Sequence, residues 1–216
     1  MPKFKTLKDH VYDFIAEEIL SGGLKTNQKI DENAICEELS ISRTPVREAL
    51  IQLAGDGILE NVPRKGYVVK GLTLGDVENL YTVIGCLDAL AAVHAQPNLT
   101  DKDYKDMQFY IDSMDVAISS GHYEMYNKLQ QEFHSAYINK CKNDLLVAEL
   151  TKLQSKLLNS PYSAEDVDIL KNVLKKTNDE HRNIIKLFKS ADLDNLGSYI
   201  ATTHWSISNA IYDLVE

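Results

Sequence analysis

The sequence has no apolar run that approaches the about 20 residues a helix needs to span a bilayer. Its start, from Met1 to Lys5, leads into a polar helical pattern and not into the apolar core of a signal peptide. We therefore expect no membrane span and no secretion, and we predict a cytoplasmic protein.

Cysteine is scarce, with three residues among 216. Cys36, Cys86 and Cys141 are odd in number and far apart. This spacing argues against a disulfide framework and against a zinc site made of cysteines.

Basic residues are in deficit, since the formal net charge is −9, but the deficit is uneven. Residues 1–70 hold ten Lys or Arg and eleven Asp or Glu, a net charge of −1, so most of the negative charge falls on residues 71–216. An acidic body suppresses indiscriminate binding to nucleic acid and leaves affinity to a few placed contacts. The length and the change of pattern near residue 70 predict two domains, residues 1–70 and residues 71–216.

The stretch from Ile41 to Leu50 predicts a helix with one buried face and one basic face. Ser42 is placed to cap it, because its hydroxyl can accept a bond from a free N–H of the first turn, where Pro45 also fits. The apolar stripe consists of Val46, Ala49, Leu50 and Leu53. Arginines one turn apart suit phosphates and guanine edges, and the other face offers Arg43, Thr44 and Arg47.

Two helical patterns precede this stretch, one from Thr6 to Leu20 and a short one that begins near the N-cap candidate Asp31. Only Ser40 to Ser42 separates the short helix from the basic one, which is the spacing of a helix-turn-helix. Two extended runs then flank Pro63-Arg64-Lys65-Gly66. This tetrapeptide alone could be an ordinary solvated turn, but after a helix-turn-helix we interpret it as a DNA-binding wing, with Arg64 and Lys65 near phosphates.

From Gly71 onward the sequence shows only helical periods, which predict an all-α bundle. Thr73, Thr100 and Ser163 each precede an aspartate by three residues, a pattern typical of helix starts. The six predicted helices cover residues 74–95, 101–119, 122–141, 144–158, 164–189 and 192–215.

Three histidines lie in apolar stripes of three different predicted helices. They are His134, His181 and His204, the last accompanied by Ile200, Ile207 and Ile211. A single histidine on an apolar face is usually a packed core residue. Three that converge on one interior could instead hold a metal ion, because each helix can supply one ligand. Both interpretations stay open on the pattern alone.

The first 70 residues resemble the winged-helix domain of GntR-type bacterial transcriptional regulators. The residues that carry this resemblance are Ser42 to Leu50, Gly57-Ile58-Leu59 and Pro63 to Val69. The remainder is similar to the FCD effector domain of the FadR branch, in its shorter VanR-like six-helix form. That second resemblance rests on Glu132-Phe133-His134, Asn143-Asp144-Leu145-Leu146, Glu180-His181 and His204.

The resemblance implies that Arg43 and Arg47 contact bases or phosphates, that Thr44 contacts a phosphate, and that Lys65-Gly66 enters the minor groove. It also implies that a divalent metal, zinc or nickel, helps to bind a small carboxylate effector. The implied metal ligands are His134, His181 and His204.

Two positions depart from the family pattern. The aspartate expected one turn before the first histidine is Gln130, which removes a negative charge from the site. The arginine expected in the first effector-domain helix is Ile84, which cannot form a charge-assisted bond to a carboxylate. We predict an effector pocket lined by Gln130, Tyr81 and Asp88.

These observations predict a mainly α protein: an N-terminal winged helix-turn-helix with a small β-hairpin and a C-terminal six-helix bundle. We expect a homodimeric repressor, not an enzyme, that binds a double-stranded operator under the control of a small metabolite such as an organic acid. One alternative is a metal-dependent hydrolase, although Glu132 and Glu180 are expected to turn away from the core and leave no evident general base. Another is a DNA-binding dimer whose bundle has only a vestigial effector pocket.

Overall fold

The computed structural model describes residues 5–20, 23–157 and 167–213. In these ranges the chain forms nine α-helices and one two-stranded sheet, which confirms the predicted mainly α class with a small hairpin. The described residues separate into two compact units, one up to Leu72 and one from Thr73. Within the same ranges, no helix is both long and apolar enough to cross a membrane.

The first unit begins with three helices: α1 (Leu7–Leu20), α2 (Glu32–Leu39) and α3 (Arg43–Gly55). Asp31 caps α2, since its Oδ1 accepts hydrogen bonds from the N–H groups of Asn33 and Ala34. Ser42 occupies the N-cap position of α3, but its side chain makes no capping hydrogen bond, so that detail of the prediction is wrong. Pro45 explains the difference, because the third helical residue is a preferred donor to a cap and proline has no N–H.

The hairpin follows α3 directly and consists of antiparallel β1 (Leu59–Val62) and β2 (Gly66–Val69). Its turn contains Arg64 and Gly66 at φ 66° and 90°, and glycine adopts this left-handed conformation without strain. A bridge between Lys29 and Val68 adds the segment before α2 to the edge of the hairpin. The hydrophobic core of this unit includes the buried residues Val11, Ile15, Val46, Leu50, Leu53, Leu59 and Val69.

The second unit contains the six predicted helices, five of them close to the expected bounds. They are α4 (Leu74–Ala95), α5 (Asp101–Ser120), α6 (Tyr123–Ile138), α7 (Asp144–Leu157), α8 (Val167–Ser190) and α9 (Leu193–Tyr199). Thr73 and Thr100 form capping boxes with the aspartates that follow them, as the sequence predicts. The start predicted at Ser163 lies outside the described residues.

The last predicted helix, 192–215, is wrong beyond Tyr199. The chain continues as a π-helical turn (Ile200–His204) and a 3-10 segment (Ile207–Asp213), and residues 214 and 215 lie outside the described ranges. A π-turn inserts an extra residue into the helical period. The residues after His204 that were predicted to share its apolar face are therefore rotated away from that face. Accordingly Ile207 is 51% exposed.

Candidate metal centre and nucleic-acid interface

The three predicted histidines meet inside the second unit. His134 lies on α6, His181 on α8 and His204 at the end of the π-turn, and they are 3%, 0% and 5% exposed. One ring nitrogen from each can be chosen so that all three lie within 4.8 Å of one another. The Nε2 atoms of His134 and His204 are 3.1 Å apart.

Asp88 and Tyr137 orient His134. The Tyr137 hydroxyl donates to Asp88 Oδ1 at 2.7 Å, and His134 Nδ1 lies 2.7 Å from that hydroxyl and 3.1 Å from Asp88 Oδ2. Both neighbours of Nδ1 can accept a hydrogen bond, so we infer that Nδ1 carries the proton. The lone pair is therefore on Nε2, which faces the other histidines.

Glu180 orients His204 in the same way, because its Oε2 lies 3.1 Å from His204 Nδ1. The sequence-based expectation that Glu180 turns away from the core is wrong, since this residue is only 4% exposed. Helix α8 packs against α5 on one side and against α9 and the π-turn on another, so more than one of its faces is buried. Glu132 is exposed, as expected.

Asn178 orients His181. Its Nδ2 donates to the Ile111 carbonyl at 3.0 Å and to Asp115 Oδ1 at 2.7 Å. Exchanging the nitrogen and oxygen of the amide would place Asn178 Oδ1 against these two acceptor oxygens, so the orientation of the amide is fixed. Its Oδ1 therefore faces His181 Nδ1, at 3.4 Å, and Nδ1 must be the donor. The Nε2 of His181 is buried and has no hydrogen-bond partner in the described part of the chain.

The electrostatics of the cluster favour neutral rings at His181 and His204. Burial, followed by the charges of His204 and His134, lowers the pKa of His181 well below its ordinary value. Burial also lowers the pKa of His204, although Glu180 opposes the shift. Burial alone would raise the pKa of Asp88, but the charge of His134 and the donors around the carboxyl outweigh it and lower that pKa. The result is an ionised Asp88 carboxylate, with neutral rings favoured at His181 and His204.

These residues fit a divalent metal ion. Neutral imidazoles with free Nε2 lone pairs are ligands for zinc and nickel, and carboxylates behind them fix the rings. Gln130, one turn before His134, adds a buried Oε1 without a hydrogen-bond partner among the described residues. An amide oxygen is a weaker ligand than the aspartate of the family pattern, since it has no charge.

The other residues predicted to line an effector pocket lie behind the histidines. Asp88 is fully buried, and its Oδ2 also accepts a hydrogen bond from Trp205 Nε1 at 2.8 Å. Tyr81 packs edge-on against Trp205, with ring centroids 5.1 Å apart. This geometry gives Asp88 a supporting role toward His134, so direct contact of Asp88 with an effector is not favoured.

In the first unit, a groove of about 640 Å³ lies between α2, α3 and the hairpin. The predicted residues that line it are Arg43, Arg47, Arg64, Lys65 and Gly66. Thr44 is exposed but is not among the lining residues. The groove also contains residues that the sequence reasoning missed, namely Lys29, Glu32, Asn33 and Tyr67.

Two of the missed residues hold the arginines of α3. Arg43 Nη2 donates to Asn33 Oδ1 and Arg47 Nε donates to Glu32 Oε2, each at 2.9 Å. In the sequence, Glu32 directly follows a cap residue, and this position predicts only the start of a helix. Its pairing with Arg47 depends on how α2 and α3 pack.

The chain matches two family models. Residues 7–69 match the bacterial regulatory proteins of the gntR family, and residues 79–203 match the FCD domain. A curated relative, the probable D-xylose utilization operon transcriptional repressor of Paenarthrobacter nicotinovorans, is 24% identical over 92% of this chain and 85% of its own length. The HTH-type regulator YdhC of Bacillus subtilis is 26% identical over 61% of this chain, and that match spans only 59% of YdhC.

Solved structures show the same fold. The structure of Escherichia coli McbR/YncC has a TM-score of 0.82 at 20% identity, covering 97% of this chain and 98% of that one. A GntR regulator from Rhodococcus sp. RHA1 has a TM-score of 0.75 at 16% identity over 95% and 96% of the two chains. The two family models together cover most of the chain, and the FCD model alone covers more than half of it. The chain therefore belongs to the GntR family of bacterial regulatory proteins and carries an FCD domain.

Proposed function

We propose that this protein is a sequence-specific, DNA-binding transcriptional repressor of the bacterial cytoplasm that acts as a homodimer. The observation that carries the proposal is the groove in which five basic side chains from α3, the hairpin and the preceding segment converge. The chain as a whole has a net charge of −9, so this concentration of basic side chains contrasts with the acidic character of the whole sequence. A local basic surface can contact the phosphates of an operator, while the negative charge of the rest of the chain disfavours indiscriminate binding to nucleic acid.

The geometry of a winged helix suggests how the groove meets DNA. The exposed N-terminal end of α3 would enter the major groove with Arg43 and Arg47, and Thr44 would contact the backbone. Arg64, Lys65 and Gly66 would lie along the adjacent minor groove. A two-fold dimer would require an operator with two half-sites about one helical turn apart.

We further propose that His134, His181 and His204 hold one divalent ion, zinc or nickel. The bound ion would supply positive charge and open coordination positions for an anionic ligand. Asp88, Asn178 and Glu180 would orient the three rings. The support is the buried Nε2 of His181, which has no hydrogen-bond partner among the described residues, whereas in a purely structural histidine we expect this nitrogen to accept a hydrogen bond.

A small metabolite, such as an organic acid, would bind beside the histidines and change operator affinity. Hydrolysis is disfavoured as an alternative, because both nearby carboxylates already accept hydrogen bonds from the ring nitrogens that they orient. A free general base is thus not among the described neighbours of the cluster. The vestigial-pocket alternative predicts a bundle that binds no small molecule.

The DNA-binding proposal is tested with Arg47→Ala. Duplexes enriched by the wild-type protein from a random-sequence pool serve as the operator probe, and binding is measured by fluorescence anisotropy at fixed salt. We expect Arg47→Ala to weaken binding to the enriched duplex by about 5- to 150-fold, the range for a lost bidentate base contact.

Lys25→Ala is the matched control, since Lys25 is exposed in the same unit but does not line the groove. It should bind within about twofold of wild type, as expected for a charge outside the contact surface. Equal binding by wild type and Arg47→Ala, or failure of the pool to enrich any duplex, would overturn the proposal.

A further inference from the structure

The ion pair between Glu32 and Arg47 lies inside the proposed DNA-binding groove. Glu32 is the first residue of α2 and accepts the Nε–H of Arg47 at 2.9 Å. In the described part of the chain, Arg47 makes no other hydrogen bond. Because only Nε is used, both terminal amino groups of the guanidinium stay available in a fixed plane.

This arrangement suits a base contact. A guanidinium binds the O6 and N7 atoms of guanine with two N–H donors in one plane. An unrestrained arginine would have to order its side chain on binding, whereas Arg47 already has one donor anchored. The pair contributes little to stability, because the Arg47 side chain is 62% exposed and the Glu32 side chain 30% exposed. Its main physical effect is therefore on the orientation and charge of the groove.

The charge of Glu32 acts on phosphates. A carboxylate beside Arg47 offsets part of the positive charge of that guanidinium and repels the phosphates of the DNA backbone, whose neutralisation is the sequence-independent source of affinity. Arg43 differs, because its partner Asn33 is neutral and leaves its positive charge uncompensated. The two arginines one turn apart thus have different surroundings. Those of Arg43 favour binding to a phosphate, and those of Arg47 disfavour it.

We propose that Glu32 is a specificity-determining residue of this groove, which orients Arg47 toward a base edge and weakens its attraction to phosphate. The inference rests on the proposed DNA-binding function. Glu32 acts through Arg47 and need not touch DNA itself, so it is a positioning residue.

Two substitutions separate the parts of this role. Glu32→Gln keeps an oxygen acceptor for Arg47 but removes the charge, and Glu32→Ala removes both. Glu38→Gln and Glu38→Ala are matched controls, because Glu38 is exposed on the same helix and does not line the groove. Thermal melting of every variant checks that the fold is retained.

The probes are the duplex enriched by wild type from a random pool and a scrambled duplex of equal length and composition. For Glu32→Gln we expect tighter binding to the scrambled duplex, with the slope of log K against log salt steeper by up to about 0.9, the value for one phosphate contact. For Glu32→Ala we also expect the ratio of scrambled to enriched Kd to fall about 5- to 100-fold, as a base contact loses its orientation.

Single base-pair changes in the enriched duplex give a readout that a merely structural role would not affect. Glu32→Ala and Arg47→Ala should lose discrimination at the same base pair, and the double variant should lose no more than Arg47→Ala alone. Wild-type ratios in both Glu32 variants, or an equal fall in the Glu38 controls, would overturn the inference while leaving the proposed function in place. A pool that yields no enriched duplex would overturn both.

Discussion

The amide of Asn178 lies between α5 and the histidine cluster and is completely buried. It has no charge, but its Nδ2 is committed to Ile111 and Asp115, so its oxygen must face His181. Arg182 pairs with the other oxygen of Asp115 and keeps that carboxylate in place. The tautomer of His181 is thereby set through Asn178 by two groups on helix α5, which is how outer-shell residues act at metal sites.

Replacing Asn178 with leucine is expected to weaken metal binding. The leucine has a similar volume but no acceptor for His181 Nδ1, so the ring loses its preferred tautomer. Loss of such an outer-shell partner typically lowers metal affinity by about 10- to 100-fold. Competition for Zn²⁺ with a chromophoric chelator measures this change.

Asn172→Leu provides the control, because Asn172 is exposed on the same helix α8 and should leave the affinity unchanged. If Asn178→Leu binds Zn²⁺ as tightly as wild type, Asn178 does not orient the ligand. If wild type binds no Zn²⁺ or Ni²⁺, the metal centre itself is contradicted.

At the level of elements, periodicity and capping predict most of the helices. Stripes such as Met107, Ile111 and Met114 are completely buried, and the threonine caps mark two helix starts. The π-turn at Ile200–His204 escaped prediction because no local residue requires it. It depends on a distant contact: a Cβ on Gly85 would lie 2.9 Å from Trp205 Cβ, so α4 and the turn approach closely only because residue 85 is glycine.

The start of α5 allows a test of helix capping by pH. Asp103 accepts hydrogen bonds from the Thr100 hydroxyl at 2.6 Å and the Thr100 N–H at 2.8 Å, and it pairs with Lys140 at 2.9 Å. The hydrogen bonds from Thr100 and Lys140 lower the pKa of Asp103 to about 2. Because the folded-state pKa is lowered, the carboxylate stabilises the fold fully above its unfolded pKa of about 4 and loses this effect as pH falls toward 2.

Asp103→Asn should therefore destabilise the protein at pH 7 by about 1 kcal/mol, a typical value for a lost cap. The difference from wild type should shrink between about pH 4 and pH 2, where the wild-type carboxylate also becomes neutral. Urea unfolding at several pH values measures both effects. Asp101→Asn is the control, since Asp101 is exposed in the same turn, and a pH-independent difference for Asp103→Asn would contradict the assignment.

The sequence indicates which histidines of the second unit could meet, because each lies on an apolar face of its own predicted helix. The sequence does not indicate which residues orient these histidines. Asp88 is 46 residues from His134 and 117 from Trp205, and Glu180 is 24 from His204, so these pairs exist only after the helices pack. The same holds for Lys29, which joins the groove through a bridge to Val68. Local patterns predict elements, but they do not specify pairs between distant elements.

Effector control requires that binding in the second unit be coupled to DNA binding by the first. If an organic acid bound at the histidines controls operator binding, the acid must change operator affinity by the same factor by which the operator changes affinity for the acid. We expect an acid that raises the melting temperature of the Zn²⁺-loaded protein to alter the Kd of the enriched duplex by about 5- to 150-fold, the usual range of allosteric coupling. The His134→Ala/His181→Ala double variant should show neither effect. An acid that stabilises wild type through the histidines but leaves duplex affinity unchanged would exclude effector control through this site.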